Sequence, residues 1–327
     1  VVNIFRLFNI KKLLLVWTIL ICSTPAGFAK SGANSGGILL RMPIDARNVS
    51  LGNSGAGVAG FANCLENNPA SLAYLNRLNL SMSHISVLSD LQMNSLLYSE
   101  PFGQNKAFSF FAKMLRSDEI QRTEFIDFDR YSITGTFDIK DVAAGISFAH
   151  KSANPIEVFG KSLTASYGVT LKYLKSEIAE FKADAFAADA GIFFQNILSP
   201  FSFGVSILNC GNKLKYISEG DKLPLTLKTG FAYCNTEVSP LMVCGDLILL
   251  RNAPVEFTLG IDYQLSRYFS LRTGFDSRND IDVGLSAGFG ISMPLNNKKS
   301  SLMNFEYAYK PYGDIGDYHY ITFTLLY

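Results

Sequence analysis

The sequence is short of the residues on which most site chemistry is built. It has three histidines, His84, His150 and His319, and none lies near a cysteine or another histidine, so the usual nitrogen–sulfur metal spacings are missing. Cysteine is sparse as well, five in 327 residues, and no two form a C-x-x-C pair, which removes the common redox and zinc motifs. Cys64, Cys210, Cys234 and Cys244 read as mostly free, small, buried side chains. Charged residues make up 17% of the chain and are balanced, 29 Lys+Arg against 28 Asp+Glu, so no basic stripe is present to attract nucleic acid. Tryptophan occurs once, as Trp17. Beyond residue 29 no uninterrupted apolar run approaches the ~18 residues that suggest a spanning helix.

Yet 48% of the residues are hydrophobic, including 26 Phe and 15 Tyr. The one greasy run comes first: Arg6, Lys11 and Lys12 precede LLLVWTILIC, then STPAGFA follows, with Gly27 and Ala29 as small residues at the third and last positions before a cut. The pattern predicts a secretory signal peptide over 1–29, cleaved after Ala29. The run is too short to span a bilayer, which takes roughly 20 residues. Cys22 follows Ile21 rather than a small residue, which argues against a lipid anchor. Without the leader's three cations, 26 basic residues face 28 acidic ones.

From about residue 78 onward the hydrophobic residues arrive every second position. In 255–265, Val255, Phe257, Leu259, Ile261, Tyr263 and Leu265 share one face, and Glu256, Thr258, Gly260, Asp262 and Gln264 the other. The same sorting holds over 162–173 and 283–292. Further alternating segments lie near 79–87, 92–99, 106–115, 130–138, 142–150, 185–195, 201–209, 224–234, 241–249, 268–276, 303–310 and 319–327, one more in all than the fourteen assigned below, with turn formers such as FGQNK and NCGN between them. A soluble sandwich and a membrane barrel both use such strands. The polar faces decide: they are mostly Ser, Thr, Gly and Ala, suited to an enclosed lumen rather than to open water. The expected fold is an all-β, transmembrane, antiparallel barrel of about fourteen strands over 78–327, closed so that no edge faces lipid. The closing run Ile321, Phe323, Leu325 and Tyr327 looks like the signal read by the outer-membrane barrel insertion machinery.

Residues 30–77 differ: a Ser/Gly lead-in, then a segment crowded with Gly, Ala and Ser. Asn68 before Pro69 suits an N-cap of a short helix over PASLAYL. A compact segment of this kind predicts a plug inside the barrel; a periplasmic tail outside it is the alternative. If the apolar faces point to lipid, then Lys172, Lys228, Glu256, Asp262, Arg272, Asp276 and Glu306 point inward, where unpaired charge is costly. Glu256, Asp262, Asp276 and Glu306 are then candidate partners for Arg41 and Arg47 of the plug, unless they sit at a rim solvated by lumen water.

LLRMPIDARNVSLGNSGAGVAG followed by NNPASLAYL resembles the opening of the PorV/PorQ family, outer-membrane barrels related to FadL long-chain fatty-acid channels. FAADAGIFF, VSILNCGNKLKY, DKLPLTLKTGFAY, LRTGFDS and the closing FEYAYKPYGDIGDYHYITFTLLY resemble further family blocks, in family order. By that likeness Arg47 takes the motif arginine and Asn68, Pro69 and Ala70 the plug tripeptide. Asp45 stands where the family usually has glycine, and Asn67 and Ser71 replace an aromatic and a glycine. The resemblance implies outer-membrane location in a two-membrane bacterium and a non-enzymatic role in exporting or anchoring secreted proteins, as in type IX secretion. The FadL relationship implies the alternative, passive uptake of hydrophobic small molecules.

Two short motifs invite other readings. GAGVAG at 55–60 matches a dinucleotide fingerprint but lacks the strand–turn–helix around it. GLSAG at 284–288 matches a nucleophile elbow but lies inside a clean strand. A barrel-embedded lipid hydrolase would need a base near such a serine, and His150 with Ser286 is the pair to inspect. No cofactor is expected. Lipid, the insertion machinery, and either secreted cargo or hydrophobic small molecules are the expected partners.

Overall fold

The computed structural model describes residues 36–327 except 88–90, 128–129, 159–160, 197–198, 235–239, 278–283, 296–300 and 313–315. The expected leader and its cleavage site lie outside the described residues. Fourteen antiparallel strands form the wall: β1 Asn79–Val87, β2 Leu91–Phe102, β3 Lys106–Ser117, β4 Ile139–Lys151, β5 Lys161–Ile178, β6 Phe181–Asn196, β7 Phe201–Gly211, β8 Thr226–Cys234, β9 Leu241–Leu250, β10 Val255–Ser266, β11 Phe269–Asp276, β12 Leu285–Pro294, β13 Leu302–Pro311 and β14 Asp317–Leu326. Each pairs with its sequence neighbours, and β1 pairs with β14 from Asn79 opposite Leu326 to Ser86 opposite His319, so the sheet closes on itself. Closure satisfies every wall strand's ladder on both sides, the condition for strands in lipid.

Side-chain direction follows the alternation. On β10, Ile261 is 42% exposed and its neighbour Asp262 only 9%, which places the apolar face outward and the polar face in the lumen. The register slips at the end of β10, between Gln264 and Ser266, and within β7, where the pairing with β6 jumps between Ile207 and Cys210. Leu208 and Asn209 are both buried there, and Asn209 is left-handed at φ 60°. This bulge turns Cys210 to the outside, because an inserted residue flips the parity of everything after it. Cys234, at the end of β8, is exposed at the lumen rim. Only Cys64 and Cys244 are buried, which corrects the expectation for the other two; all four are free thiols.

One of the fifteen alternating segments is not a stave. Residues 130–137 pair with Ile120–Asp127 in a separate hairpin between β3 and β4. Its period-two pattern is that of any hairpin, and only the pairing distinguishes it. The two longest connections lie at the far end, away from where β1 starts and β14 stops: one carries the 120–137 hairpin and the other a second one, Leu214–Lys215 with Gly220–Asp221; the end where β1 starts has turns such as Gly103–Asn105 and Arg267–Tyr268 and a connection holding the short strand Ile156–Val158.

Residues 36–77 run through the lumen as short helical pieces: Ile38–Leu40, a five-residue α-helix α1 at Ala46–Ser50, Ala62–Glu66 and Pro69–Tyr74, the first, third and fourth being 3-10 turns. Asn68 caps the last, its Oδ1 accepting from the Ala70 N–H at 3.0 Å. The wall admits this backbone through missing side chains: a Cβ on Gly204 would stand 1.8 Å from the Ala56 carbonyl oxygen, and one on Gly274 1.9 Å from the Gly52 nitrogen.

Candidate functional site

The lumen is held together by charge. Lys228 Nζ on β8 lies 3.1 Å from Asp246 Oδ2 on β9 and donates to the Asn53 carbonyl at 2.7 Å. Asp246 in turn accepts from the backbone N–H groups of Gly55 (2.7 Å) and Ala56 (3.1 Å). The GAG start of the false fingerprint therefore cradles an anion after all, the protein's own carboxylate. Lys113 pairs with Glu66 and donates to the Met42 carbonyl at 2.7 Å, while Glu66 Oε2 accepts from the Ile44 N–H at 2.7 Å. Lys172 and Asp189, 2.6 Å apart, brace the β7 bulge, where Asp189 accepts from the Asn209 N–H at 2.7 Å. Buried ions survive only when paired and hydrogen-bonded in this way.

The two arginines of the lumenal segment each meet one of the acids named above. Arg47 Nη2 is 2.8 Å from Asp262 Oδ2, with its guanidinium 3.6 Å over the Phe61 ring. Arg41 Nη2 is 3.4 Å from both oxygens of Glu256. The other two acids have wall cations beside them: Glu306 is 2.9 Å from Arg272 Nη1, and Asp276 accepts from Lys310 Nζ at 3.0 Å. Arg272 also reaches Asp262 at 3.2 Å, so Arg47, Asp262, Arg272 and Glu306 form a chain of alternating sign. Asp45 caps α1 by accepting from the Asn48 N–H at 2.9 Å. Burial, with Glu306 adding repulsion, pushes its carboxyl up to about 7.

Two cavities flank the lumenal segment. At the terminal end a cavity of about 420 Å³ is lined by charged residues, Asp45, Arg47, Asp262, Arg272 and Glu306, together with apolar ones such as Phe61, Leu241, Met242 and Ile291. At the far end a cavity of about 340 Å³ is lined by Ile38, Met42, Leu91, Leu115, Tyr312, Tyr318 and Tyr320, together with Arg41, Asp276 and Lys310. The rings of Tyr312 and Tyr318 stack there, 4.2 Å between centroids. A hollow lined mostly by apolar and aromatic side chains with a few polar groups among them is the usual form of a small-molecule site.

The hydrolase pair is not assembled. Ser286 donates to the Val49 carbonyl at 2.7 Å, and His150 meets the Tyr167 ring edge-on, on a nearly opposite wall. Burial pushes the Cys64 thiol up to about 12, which leaves it unreactive. Sequence reasoning missed Asp246, Asp189, Glu66 and Lys113. Asp246 carried a signal, as the single charge in LMVCGDLILL.

No protein-family model matches the chain, and no curated protein matches it in sequence. Solved structures do match in fold. The CymD monoaromatic hydrocarbon channel is 12% identical over 86% of this chain and 96% of its own, with a TM-score of 0.53. The toluene transporter TodX of Pseudomonas putida is 13% identical over 87% and 96%, TM-score 0.50. A FadL homologue of Pseudomonas aeruginosa is 10% identical over 86% and 98%, TM-score 0.50. The chain thus has the fold of FadL-like outer-membrane barrels, and at these identities the likeness is one of fold.

Proposed function

We propose that this barrel sits in the outer membrane of a two-membrane bacterium as a passive channel for hydrophobic small molecules, with residues 36–77 as its plug. The far-end cavity carries the proposal. It is apolar and aromatic, opens beside the longer connections that in outer-membrane barrels face outside, and its ~340 Å³ suits a molecule of one or two rings. The structurally similar proteins named for toluene and monoaromatic hydrocarbons support the same ligand class here. The plug arginines tied to Asp262 and Glu256 hold the lumen shut at rest. The test is uptake of radiolabelled toluene by cells displaying the protein. Faster uptake than in cells carrying Leu91→Arg, which places a cation at the rim of the far-end cavity, is expected; equal rates count against the proposal.

One observation favours a second reading, assistance to protein export of PorV/PorQ type. The 120–137 hairpin stands outside the barrel with Ile126, Tyr131 and Ile133 exposed, and is braced to the β5–β6 turn by Arg122 to Glu180 at 2.8 Å. Copurification of secreted proteins from native outer membrane, lost on deleting 120–137, would favour export over uptake.

A further inference from the structure

The far-end cavity has polar side chains of two kinds, charged and neutral, and only the charged ones are already in use. Lys310 Nζ donates to Asp276 at 3.0 Å, and Arg41 Nη2 stands 3.4 Å from both oxygens of Glu256. Drawing either cation away to meet an anionic ligand would strand a carboxylate in a site with little water, which is costly. The cations on this cavity therefore hold the protein's own acids and leave no net charge for a ligand's.

The neutral groups are free. Among the described residues neither the Tyr318 hydroxyl nor the side-chain amide of Asn53, both on this cavity, has a hydrogen-bond partner. The other tyrosines that meet the lumenal segment or the far-end hairpin behave differently: Tyr74 donates to the Thr164 carbonyl at 3.3 Å and Tyr216 to Ser176 Oγ at 2.7 Å, as buried tyrosines usually do. Tyr318 goes without for a local reason. Lys310 lies opposite it in register but has turned to Asp276, and Ile38, Leu91 and Leu115 across the cavity have nothing to offer a hydroxyl. Its ring is nonetheless held in place. Tyr312 stacks on it at 4.2 Å and 22°, and Lys310 Nζ stands 5.3 Å over the Tyr312 ring. A hydroxyl on a held ring is a positioned donor and acceptor at the border of an apolar hollow.

We infer that the preferred ligand of this cavity is a neutral ring carrying one hydroxyl, a phenol-class molecule, rather than a bare hydrocarbon or a ring acid, and that Tyr318 selects it by hydrogen bonding that hydroxyl. The apolar lining takes the ring. A ligand without the hydroxyl covers the Tyr318 oxygen and leaves it unpaired, and that penalty separates the two ligands. This deepens the channel reading and rests on it for the site, but binding is measured without flux, so the two fail separately.

The test is equilibrium dialysis of the full chain, purified in detergent, against radiolabelled p-cresol and toluene, which differ by one hydroxyl, and p-toluate, which carries a carboxylate in its place. Binding is counted above that of Leu91→Arg, which corrects for partition into micelles. p-Cresol binds about three- to tenfold more tightly than toluene, the scale of one neutral hydrogen bond, and p-toluate no more tightly than toluene. Tyr318→Phe brings p-cresol down to the toluene level and leaves toluene unchanged. Tyr216→Phe, which removes a hydroxyl already engaged elsewhere, keeps the preference, and heat-shifted gel mobility reports an intact barrel in each variant. Equal binding of p-cresol and toluene, tighter binding of p-toluate, a preference that survives Tyr318→Phe, or no binding above Leu91→Arg overturns the assignment. If p-cresol is preferred while toluene uptake by cells matches that of Leu91→Arg, the site stands and the channel falls.

Discussion

At the level of single residues, the account depends on buried charges that have partners. Replacing Asp246 by Ala strands Lys228 and leaves the Gly55 and Ala56 N–H groups unsatisfied, so destabilisation of about 3–5 kcal/mol is expected. Denaturant unfolding together with protease release of residues 36–77 measures it; replacing Lys228 and Asp246 together by Met and Leu should cost less. Asp45 supplies a pH dependence. Its carboxyl titrates near 7 when docked against 3.8 when free, so the docked state holds its proton more tightly. The docked segment is therefore most stable below pH ~4 and loses stability as pH rises toward ~7, by on the order of 4 kcal/mol. Asp45→Asn keeps the cap without the titration, and its protease protection should be flat across that window. Sequence reading placed Asp262 and Glu256 inward because strand alternation is strict. It could not tell which acid pairs with which cation, since that depends on where the strands' registers place them along the axis.

At the level of elements, the strands were legible and the lumenal segment was not. Alternation is local, so each stave announced itself, and the surplus segment 130–137 was indistinguishable from a stave until its pairing was known. The β7 bulge left no comparable trace in VSILNCGNK, because one extra residue is invisible to a pattern of period two. Asn68-Pro69 did mark a real turn, since cap and proline act over two residues. Where the segment's backbone runs depends on wall glycines that the sequence scatters over seven strands' length of chain. Gly204→Ala should push residues 55–57 off the wall and weaken docking by about 1–3 kcal/mol. Gly135→Ala, in the outer hairpin with nothing within 4 Å, should change nothing. Limited proteolysis of the two variants, with barrel mobility on gels as control, separates these outcomes.

At the level of the whole molecule, closure follows from the pairing of β1 with β14, and the proposed function rests on which face looks where. Apolar side chains outside and small polar ones around a filled lumen suit the proposed channel; the reverse would make a soluble sandwich with no conduit. The scarcity of tryptophan gives a direct test. In a chain whose Trp17 is changed to Phe, single tryptophans are placed in turn at Phe257, Thr258, Leu259, Ile261, Asp262 and Tyr263, and the protein is folded into bilayers of brominated lipid. The account predicts strong quenching at 257, 259, 261 and 263 and weak quenching at 258 and 262. Equal quenching at all six, or strong quenching at 258 and 262 alone, would contradict it.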